Sequence, residues 1–528
     1  MTDTPGGTRR GGAVAVGAGI LLSRLFGLVR QRAIGHFLGV GDAADALSAA
    51  LRIPNVLQNL LGEGVLSASF VPVYARLRAE GREEDATRLA RTVGGILAVV
   101  SALVVLAGMA AAPALVAVIA GGFPPEKRAF TVTLVRLLFP GMAALVMAAW
   151  ALGTLNAHRH FFVGYAAPVA WNLAIIGALV VGASQADPDG AARLVAIGAV
   201  IGSVLQFAVQ LPWLVRVMPG VARGARRTAD LRLVLGNFAP VVLGRGVVQF
   251  SAWLDQLIAS FVTAGAASVL FYAQNIALLP VSVFGMAVSV SELTEMSSHA
   301  GADREAKVRE RLQAALPTIA FMVVPSAAAL LILGDVLAGA VLQSGAFQRA
   351  DTVWVWAVLA GSSVGLLAGT LGRLYNSAWY ALHDTRTPVK MALLRIVVAA
   401  ALGATLALNG PRWLGLEARW GVAGLTLSAG CAAWIEYTLL RRSLNRRIGE
   451  TGLARGYLPR LWTGALVAAA LAWGVKAVIA TWNPVALAAV VFPVFGVAYL
   501  GIAHAMRIPE AQVVLARLGR RFGMGTPR

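Results

Sequence analysis

The chain has 528 residues, of which 58% are hydrophobic and only 13% are charged, and its formal net charge is +20. The charged share is about half of that in ordinary soluble domains, and a domain of usual size has no interior large enough to hide so much apolar surface. The composition therefore excludes a soluble enzyme, a disordered tail protein and a small disulfide-linked secreted domain. It indicates a polytopic membrane protein. The basic residues lie in short clusters between apolar runs, not along one face, so nucleic acid is not an expected partner.

Apolar runs follow one another along the whole chain, each long enough for the roughly 20 residues that a helix needs to cross a bilayer. In chain order they cover residues 13–38, 43–74, 92–120, 130–157, 161–183, 192–215, 236–263, 266–294, 313–334, 352–380, 388–409, 418–440, 460–481 and 483–506. We therefore predict an all-α polytopic membrane protein with about 14 transmembrane helices.

The distribution of lysine and arginine predicts the orientation of these helices. Taken alternately, the tails and connections on one side carry 30 Lys and Arg residues, and those on the other side carry seven. Cytoplasmic loops are the ones enriched in basic residues. Both termini are therefore predicted to be cytoplasmic.

A weak internal repeat predicts how the helices are grouped. The stretch Phe261–Glu292 resembles Phe37–Ser69 at an offset of about 224 residues, and each contains a proline in mid-run. Repeats of this kind are typical of two related bundles that enclose a central path. The predicted organisation is a cytoplasmic tail (1–12), an N-terminal six-helix bundle (13–218), a basic linker (219–231), a C-terminal six-helix bundle (232–442), a second basic linker (443–459), two extra helices (460–506) and a basic cytoplasmic tail (507–528).

Ionisable side chains inside the apolar runs are candidate site residues, because each is costly in hydrocarbon unless it faces water or a partner. In the second run Asp45, Ser48, Arg52, Asn55, Asn59 and Glu63 recur at helical spacing and form one polar stripe, which Pro54 is expected to bend. In the first run Ser23, Gly27 and Arg30 share a face, with Arg24 adjacent. These stripes predict a shared, hydrated cavity whose positive sign suits an anionic substrate.

The second half of the chain repeats the pattern. The tenth run carries Arg373, Asn376, Ser377 and Tyr380, the seventh carries Arg245, Gln249 and Gln256 beside Asp255, and the eighth carries Asn275, Ser282 and Ser289. The alternative is that such residues snorkel to an interface or pair within the protein. We expect that for Arg136, Arg395 and Lys476, and a pairing of Glu63 with Arg52 stays open.

The motifs of several enzyme classes do not occur in this sequence. It contains no phosphate-binding G-x-x-x-x-G-K-[ST] motif, no G-x-S-x-G motif and no Cys/His set with the spacing of metal ligands. We therefore predict no enzymatic activity, no metal site and no bound cofactor.

Motifs in both halves of the chain carry a resemblance to a known family. They are Ser23–Arg30, Asp45, Arg52–Asn55, Gly62–Gly64, Ser69–Pro72, and Tyr380 followed by Asp384–Lys390. This set resembles the MurJ/MviN family, the lipid II flippases of the multidrug/oligosaccharidyl-lipid/polysaccharide exporter superfamily.

The resemblance implies a V-shaped, two-lobed fold that works by alternating access in the bacterial cytoplasmic (inner) membrane. The implied substrate is lipid II, undecaprenyl pyrophosphate carrying a disaccharide-pentapeptide, moved from the inner to the outer leaflet for peptidoglycan synthesis. The last two helices are implied to form a groove for its polyprenyl tail. Membrane lipids and other cell-wall synthesis proteins are further candidate partners. The energy source is expected to be a coupling ion or the membrane potential.

The resemblance also implies roles for single residues. Ser23, Arg24, Arg30, Arg52 and Arg373 would bind the pyrophosphate, because guanidinium groups bind phosphate oxygens bidentately. Asp45 and Glu63 would be the acids of the cavity, with a gating role.

The sequence departs from the family at two cavity positions. Many members have an arginine where this chain has Gln58, and an acid–arginine pair where it has Gln274 and Asn275. Arg373 or Arg245 is expected to supply the missing charge. Asp255 is a candidate for ion coupling, although the eleventh run has no matching acid.

These departures keep three alternatives open. One is an exporter of another lipid-linked oligosaccharide or amphiphile. A second is a membrane-embedded transferase or hydrolase acting on polyprenyl lipids, which needs carboxylates or histidines grouped at one membrane face, and the sequence shows no such group. A third is a scaffold that binds cell-wall partners without transport.

Overall fold

The computed structural model describes residues 7–182, 187–218, 228–280 and 304–521, together with Ser282 and Met296. Within these residues the chain forms helices joined by short links, and its β structure is one isolated bridge between Ser344 and Phe347. The predicted all-α fold class is confirmed. The chain divides into two compact units: unit 1 is Met1–Ser268 with Ser344–Phe347, and unit 2 is Val269–Gln343 with Gln348–Arg528.

Unit 1 is built from long helices, several of which adjoin a short helix in the same apolar run. Its helices are Gly7–Leu38, Asp42–Leu61, Glu63–Ser69, Val71–Ala79, Glu83–Ile119, Pro125–Ala157, Phe161–Ala166, Pro168–Gly182, Pro188–Ala208, Leu211–Val217 and Thr228–Ser260. The second predicted run breaks at Gly62, where an added Cβ would collide with the Gln58 carbonyl oxygen. Pro54 itself lies inside the helix Asp42–Leu61, so the interruption comes eight residues later than the proline.

Unit 2 contains most of the helix Ala266–Pro280 and all the later helices. These are Arg304–Ile332, Gly334–Leu342, Arg349–Ala381, Arg386–Leu408, Gly410–Trp413, the 3₁₀ turn Ala418–Trp420, Gly421–Ile448, Tyr457–Val478, Pro484–Ala505 and Pro509–Arg521. Helices Arg349–Ala381 and Gly421–Ile448 approach closely at Gly365 and Gly430, where an added Cβ on either residue would meet the backbone of the other. Small residues at such crossings allow membrane helices to pack backbone to backbone.

Ten of the described helices are long and apolar enough to cross a membrane. All fourteen apolar runs contain at least part of a described helix, and the four outside the ten fall in Gly7–Leu38, Thr228–Ser260, Ala266–Pro280 and Gly421–Ile448. The number fourteen therefore stays a prediction. Large apolar side chains such as Leu103, Val181 and Val397 are more than half exposed, as expected of surfaces that face lipid.

Candidate functional site

The predicted cavity acid Asp45 is fully buried in unit 1. Its carboxylate accepts hydrogen bonds from the backbone N–H groups of Gly265 and Ser268, each at 2.7 Å. The Lys127 ammonium donates to the same carboxylate and, at 2.8 Å, to Asp42. A buried carboxylate is tolerated when a counter-charge and further donors satisfy its oxygens. Asp45 therefore ties the segment at Gly265 and Ser268 to the start of the helix Asp42–Leu61.

Arg52, further along the same predicted stripe, faces the helix Thr228–Ser260. Its Nη1 donates to the Ala252 carbonyl oxygen at 2.9 Å. Asp255, about one turn further along that helix, lies within its electrostatic range. The guanidinium therefore has both a carbonyl acceptor and a carboxylate charge on one helix.

Two of the other predicted site residues are described only by their backbone. The side chains of Glu63 and Arg245 lie outside the described part of the chain. The alternative pairing of Glu63 with Arg52 therefore stays a prediction, as does a role for Arg245.

The first helix, Gly7–Leu38, presents its two predicted arginines differently. The guanidinium carbon of Arg30 lies 4.6 Å from the ring centroid of Trp171, within cation–π range. Arg24 is exposed and makes no hydrogen bond or ion pair with a described residue. Beside them, a Cβ added to Gly27 would meet no atom within 4 Å. Half-buried Ser23 lies on the same stretch, so this face offers cationic groups next to open space.

In unit 2, Arg373 is exposed on the helix Arg349–Ala381. It lies within electrostatic range of Arg395 and Glu436, which come from two further helices. Arg395 Nη1 lies 3.3 Å from the Glu436 carboxylate, which is buried. Arg395 therefore pairs within the protein, as expected, but it does so beside a candidate site residue.

Two further residues singled out in the sequence, Asn275 and Arg136, donate to backbone carbonyl oxygens. The Asn275 amide donates to the Phe271 carbonyl oxygen of its own helix at 2.8 Å, and it is half-buried. Exposed Arg136 donates its Nε to the Met109 carbonyl oxygen at 3.2 Å. The predicted internal bonding of Arg136 is thus observed, whereas a cavity role for Asn275 stays a prediction.

Lys476 binds a buried acid that the sequence analysis did not single out. Its Nζ lies 2.9 and 2.7 Å from the two carboxylate oxygens of Asp335. Arg349 Nη2 reaches the same carboxylate at 3.0 Å. Lys476 thus pairs within the protein, as expected. The signal that was available is the rarity of lysine: only four occur in the chain, and two of them, Lys127 and Lys476, form these buried pairs.

Metal ligands do not cluster in the part of the chain that the structure describes. No group of three or more His, Cys, Asp or Glu side chains within it is arranged to hold a metal ion.

The fold is shared with solved transporters. A lipid II flippase MurJ in an inward closed conformation matches with a TM-score of 0.74 and 20% identity, over 93% of this chain and 98% of that one. An inward-facing multidrug resistance MATE family transporter of the MOP superfamily matches with a TM-score of 0.63 and 15% identity, over 80% and 95%. The chain therefore has the fold of the MurJ and MATE structures, with ten described helices long and apolar enough to cross a membrane.

Sequence relatives narrow the class to one family. The family model described as Lipid II flippase MurJ matches residues 34–493. A probable lipid II flippase MurJ of Rhizobium tropici is 31% identical over 450 residues, covering 84% of this chain and 82% of the relative. The lipid II flippase MurJ of Burkholderia cenocepacia is 31% identical over 435 residues, covering 81% and 82%. The chain belongs to the lipid II flippase MurJ family, so the family resemblance of the sequence motifs is confirmed.

Proposed function

We infer that this chain is a lipid II flippase of the bacterial inner membrane, moving the lipid-linked peptidoglycan precursor from the inner to the outer leaflet. The observation that carries the inference is the family match across residues 34–493, which covers most of both compact units. The activity is transport, and catalysis forms no part of the proposal. A role in cell-wall biogenesis follows from the substrate.

The finer proposal concerns how the pyrophosphate is held. Arg24 and Arg30, with Ser23 beside them, bind its oxygens on the open face of the first helix. Support comes from the absence of a described partner for Arg24 and from the open space beside Gly27. A charge-assisted hydrogen bond contributes about 1.5–3 kcal/mol, so two guanidinium groups are enough to give a specific site. Arg52 adds positive potential while Ala252 holds its guanidinium.

Energy coupling is proposed to run without a sodium ion at Asp255. The reason is that Arg52 already places a positive charge near that carboxylate. A second cation there would be repelled at short range. The membrane potential or protons are then the candidate energy sources.

The experiment that tests the function is a leaflet-resolved lipid II assay in cells depleted of their own flippase. Depletion is expected to leave lipid II in the inner leaflet, and expression of this chain is expected to restore it to the outer leaflet. The Arg24→Ala, Arg30→Ala double variant is the matched negative control. Normal membrane levels of the wild-type chain without lipid II in the outer leaflet would contradict the proposal.

Orientation is a separate part of the proposal: both termini are cytoplasmic, as the 30-to-7 distribution of basic residues supports. Cysteine labelling in a Cys431→Ala background tests it, because Cys431 is the only cysteine. Gly81→Cys should react only from the cytoplasm, and Asn409→Cys only from outside. Labelling of Gly81→Cys from outside would overturn the orientation.

A second candidate function is export of another lipid-linked oligosaccharide or amphiphile. The observation that favours it is the loss of two cavity cations, at Gln58 and Asn275, the latter bonded to the Phe271 carbonyl oxygen. Complementation separates the two functions. A chain that reaches the membrane at normal levels but does not sustain growth of the depleted strain favours this second candidate.

A further inference from the structure

A charged cluster of unit 2 joins three helices within predicted membrane spans. Arg373 lies on Arg349–Ala381, Arg395 on Arg386–Leu408 and Glu436 on Gly421–Ile448. The side chain of Arg395 is 32% exposed, whereas that of its partner Glu436 is 7% exposed. The acid is therefore enclosed and the guanidinium reaches out from it.

The packing of the helices accounts for this placement. Gly365 and Gly430 let the helices Arg349–Ala381 and Gly421–Ile448 approach backbone to backbone. Arg373 follows Gly365 by two turns, and Glu436 follows Gly430 by fewer than two turns. A close crossing keeps the next turns of both helices near each other. The charged groups are therefore held by the backbone and not by surface loops.

The charges of the cluster do not balance. Two guanidinium groups lie within electrostatic range of one carboxylate, which leaves the cluster with a net charge of +1. Arg373 makes no hydrogen bond or close ion pair with a described residue. An uncompensated charge within a membrane span needs water or an anion. The cluster therefore lacks one negative charge.

The face beside Arg373 has room for a ligand. Gly369 lies one turn before it, and a Cβ built there would meet no atom within 4 Å. Asn376 lies nearly one turn after it, and its buried side-chain oxygen has no hydrogen-bond partner among the described residues. The open face thus combines a guanidinium and empty space, whereas the enclosed Asn376 oxygen is an acceptor and is not a ligand for an anion.

We propose that Arg373 and Arg395 form an anion-binding site on unit 2 for a lipid-borne pyrophosphate, with Glu436 as the internal counter-ion that holds Arg395 while the site is empty. The identity of the ligand rests on the proposed function; the site itself rests on the cluster. Pyrophosphate oxygens match the geometry of the guanidinium fork and carry more charge than a carboxylate. Binding at Arg395 is then an exchange, in which the ligand replaces Glu436 and Glu436 returns when the ligand leaves.

The exchange predicts effects of opposite sign for the two members of the pair. The full-length protein in nanodiscs of zwitterionic lipid is titrated with undecaprenyl pyrophosphate, and uncharged undecaprenol is the control probe. Arg395→Gln should weaken pyrophosphate binding roughly tenfold or more, because one charge-assisted bond is lost. Glu436→Gln should tighten binding several-fold, because the competing carboxylate is gone. Arg412→Ala, at an exposed arginine of the same unit, should change nothing.

A purely structural ion pair gives a different pattern. In that case Arg395→Gln and Glu436→Gln lower thermal stability alike, shift binding in the same direction, and the double variant recovers the wild-type behaviour. That result overturns the proposal, as does equal binding of undecaprenol and its pyrophosphate. If Arg395→Gln folds poorly, Arg395→Lys replaces it: the point charge keeps some affinity but loses the bidentate fork, and wild-type affinity in this variant also counts against the site.

Failure of this site and failure of the proposed function give different results. Lipid II transport by the wild type together with unchanged pyrophosphate affinity in Arg395→Gln removes this site and leaves the flippase intact. A wild-type chain that moves no lipid II but shows opposite shifts in the two variants keeps the site and removes the flippase.

Discussion

Two buried acids, Asp45 of unit 1 and Asp335 of unit 2, each bind a lysine but differ in their remaining partners. Asp45 also accepts hydrogen bonds from two backbone N–H groups. Both carboxylate oxygens of Asp335 accept from the lysine, and one of them also accepts from the exposed Arg349. Backbone groups are fixed by their helix, whereas long basic side chains rotate to follow a carboxylate. The difference teaches that Asp45 is sensitive to the position of the Gly265–Ser268 segment, while Asp335 tolerates small shifts of its partners.

The half-buried arginines of the two units differ in a related way. Arg30 of unit 1 rests on the Trp171 ring, and Arg395 of unit 2 rests on the Glu436 carboxylate. A ring face leaves the N–H donors available, whereas a carboxylate occupies them. An anion therefore adds to Arg30 but must displace a group from Arg395.

The largest effect that tests this comparison is expected at Asp335. Asp335→Asn leaves Lys476 and Arg349 without their carboxylate, and breaking a buried pair in this way costs about 3–5 kcal/mol of unfolding free energy. Asp45→Asn should cost less, because Lys127 keeps Asp42 at 2.8 Å. Thermal unfolding of the purified variants measures both.

The control for this prediction removes both charges of the pair. The Asp335→Asn, Lys476→Met variant should recover part of the loss, because no half-buried ammonium is left without a carboxylate. Equal destabilisation by Asp45→Asn and Asp335→Asn would break the comparison.

The arginines of the first helix come next. Arg24→Ala and Arg30→Ala should each abolish transport at normal membrane levels, because each removes a charge-assisted bond of about 1.5–3 kcal/mol, or one to two decades of occupancy. Arg136→Ala, whose arginine donates to a carbonyl oxygen of its own unit, should change little. The leaflet-resolved lipid II assay measures all three, and equal tolerance at the three sites would return Arg24 and Arg30 to a structural role.

Unit 2 is expected to respond through Arg373 by a similar amount. Arg373→Ala should lose transport about as severely as Arg30→Ala, because it removes the unpaired charge of that unit. Asn275→Arg in the Arg373→Ala background should restore some transport by returning a cation to the eighth predicted span, and Asn275→Gln is the uncharged control. Normal transport by Arg373→Ala would mean that unit 2 holds its ligand without this charge.

The sequence predicted the helices well because long apolar runs and charged links are local signals. It placed the polar stripe of Asp45 and Arg52 on one helix, but not the partners of either residue. Those partners, Lys127 and Ala252, lie 82 and 200 residues away in the chain, and helical periodicity carries no information about which helices are neighbours. The break at Gly62 was missed because proline is a stronger sequence signal than a glycine at a close backbone approach.

The smallest expected effect compares two histidines at equivalent links, His158 before the fifth predicted span and His383 before the eleventh. The ring of His158 lies 2.8 Å from the Tyr74 hydroxyl. Burial, and then the charge of Arg78, lowers the pKa of His158 from 6.5 to about 4. The folded chain therefore disfavours the protonated ring. The neutral His158 ring contributes fully to stability above pH 6.5, and this contribution is lost as the pH falls from there towards 4.

His158→Gln, which cannot titrate in this range, should flatten the fall in Tm between pH 7 and pH 4.5 by on the order of 1–3 °C. His383 is exposed with a φ of 60°, so His383→Asn, a residue that accepts this backbone conformation, should leave the slope unchanged. An equal flattening by both variants would show that the pH dependence comes from the surface charge of the links and not from the burial of His158.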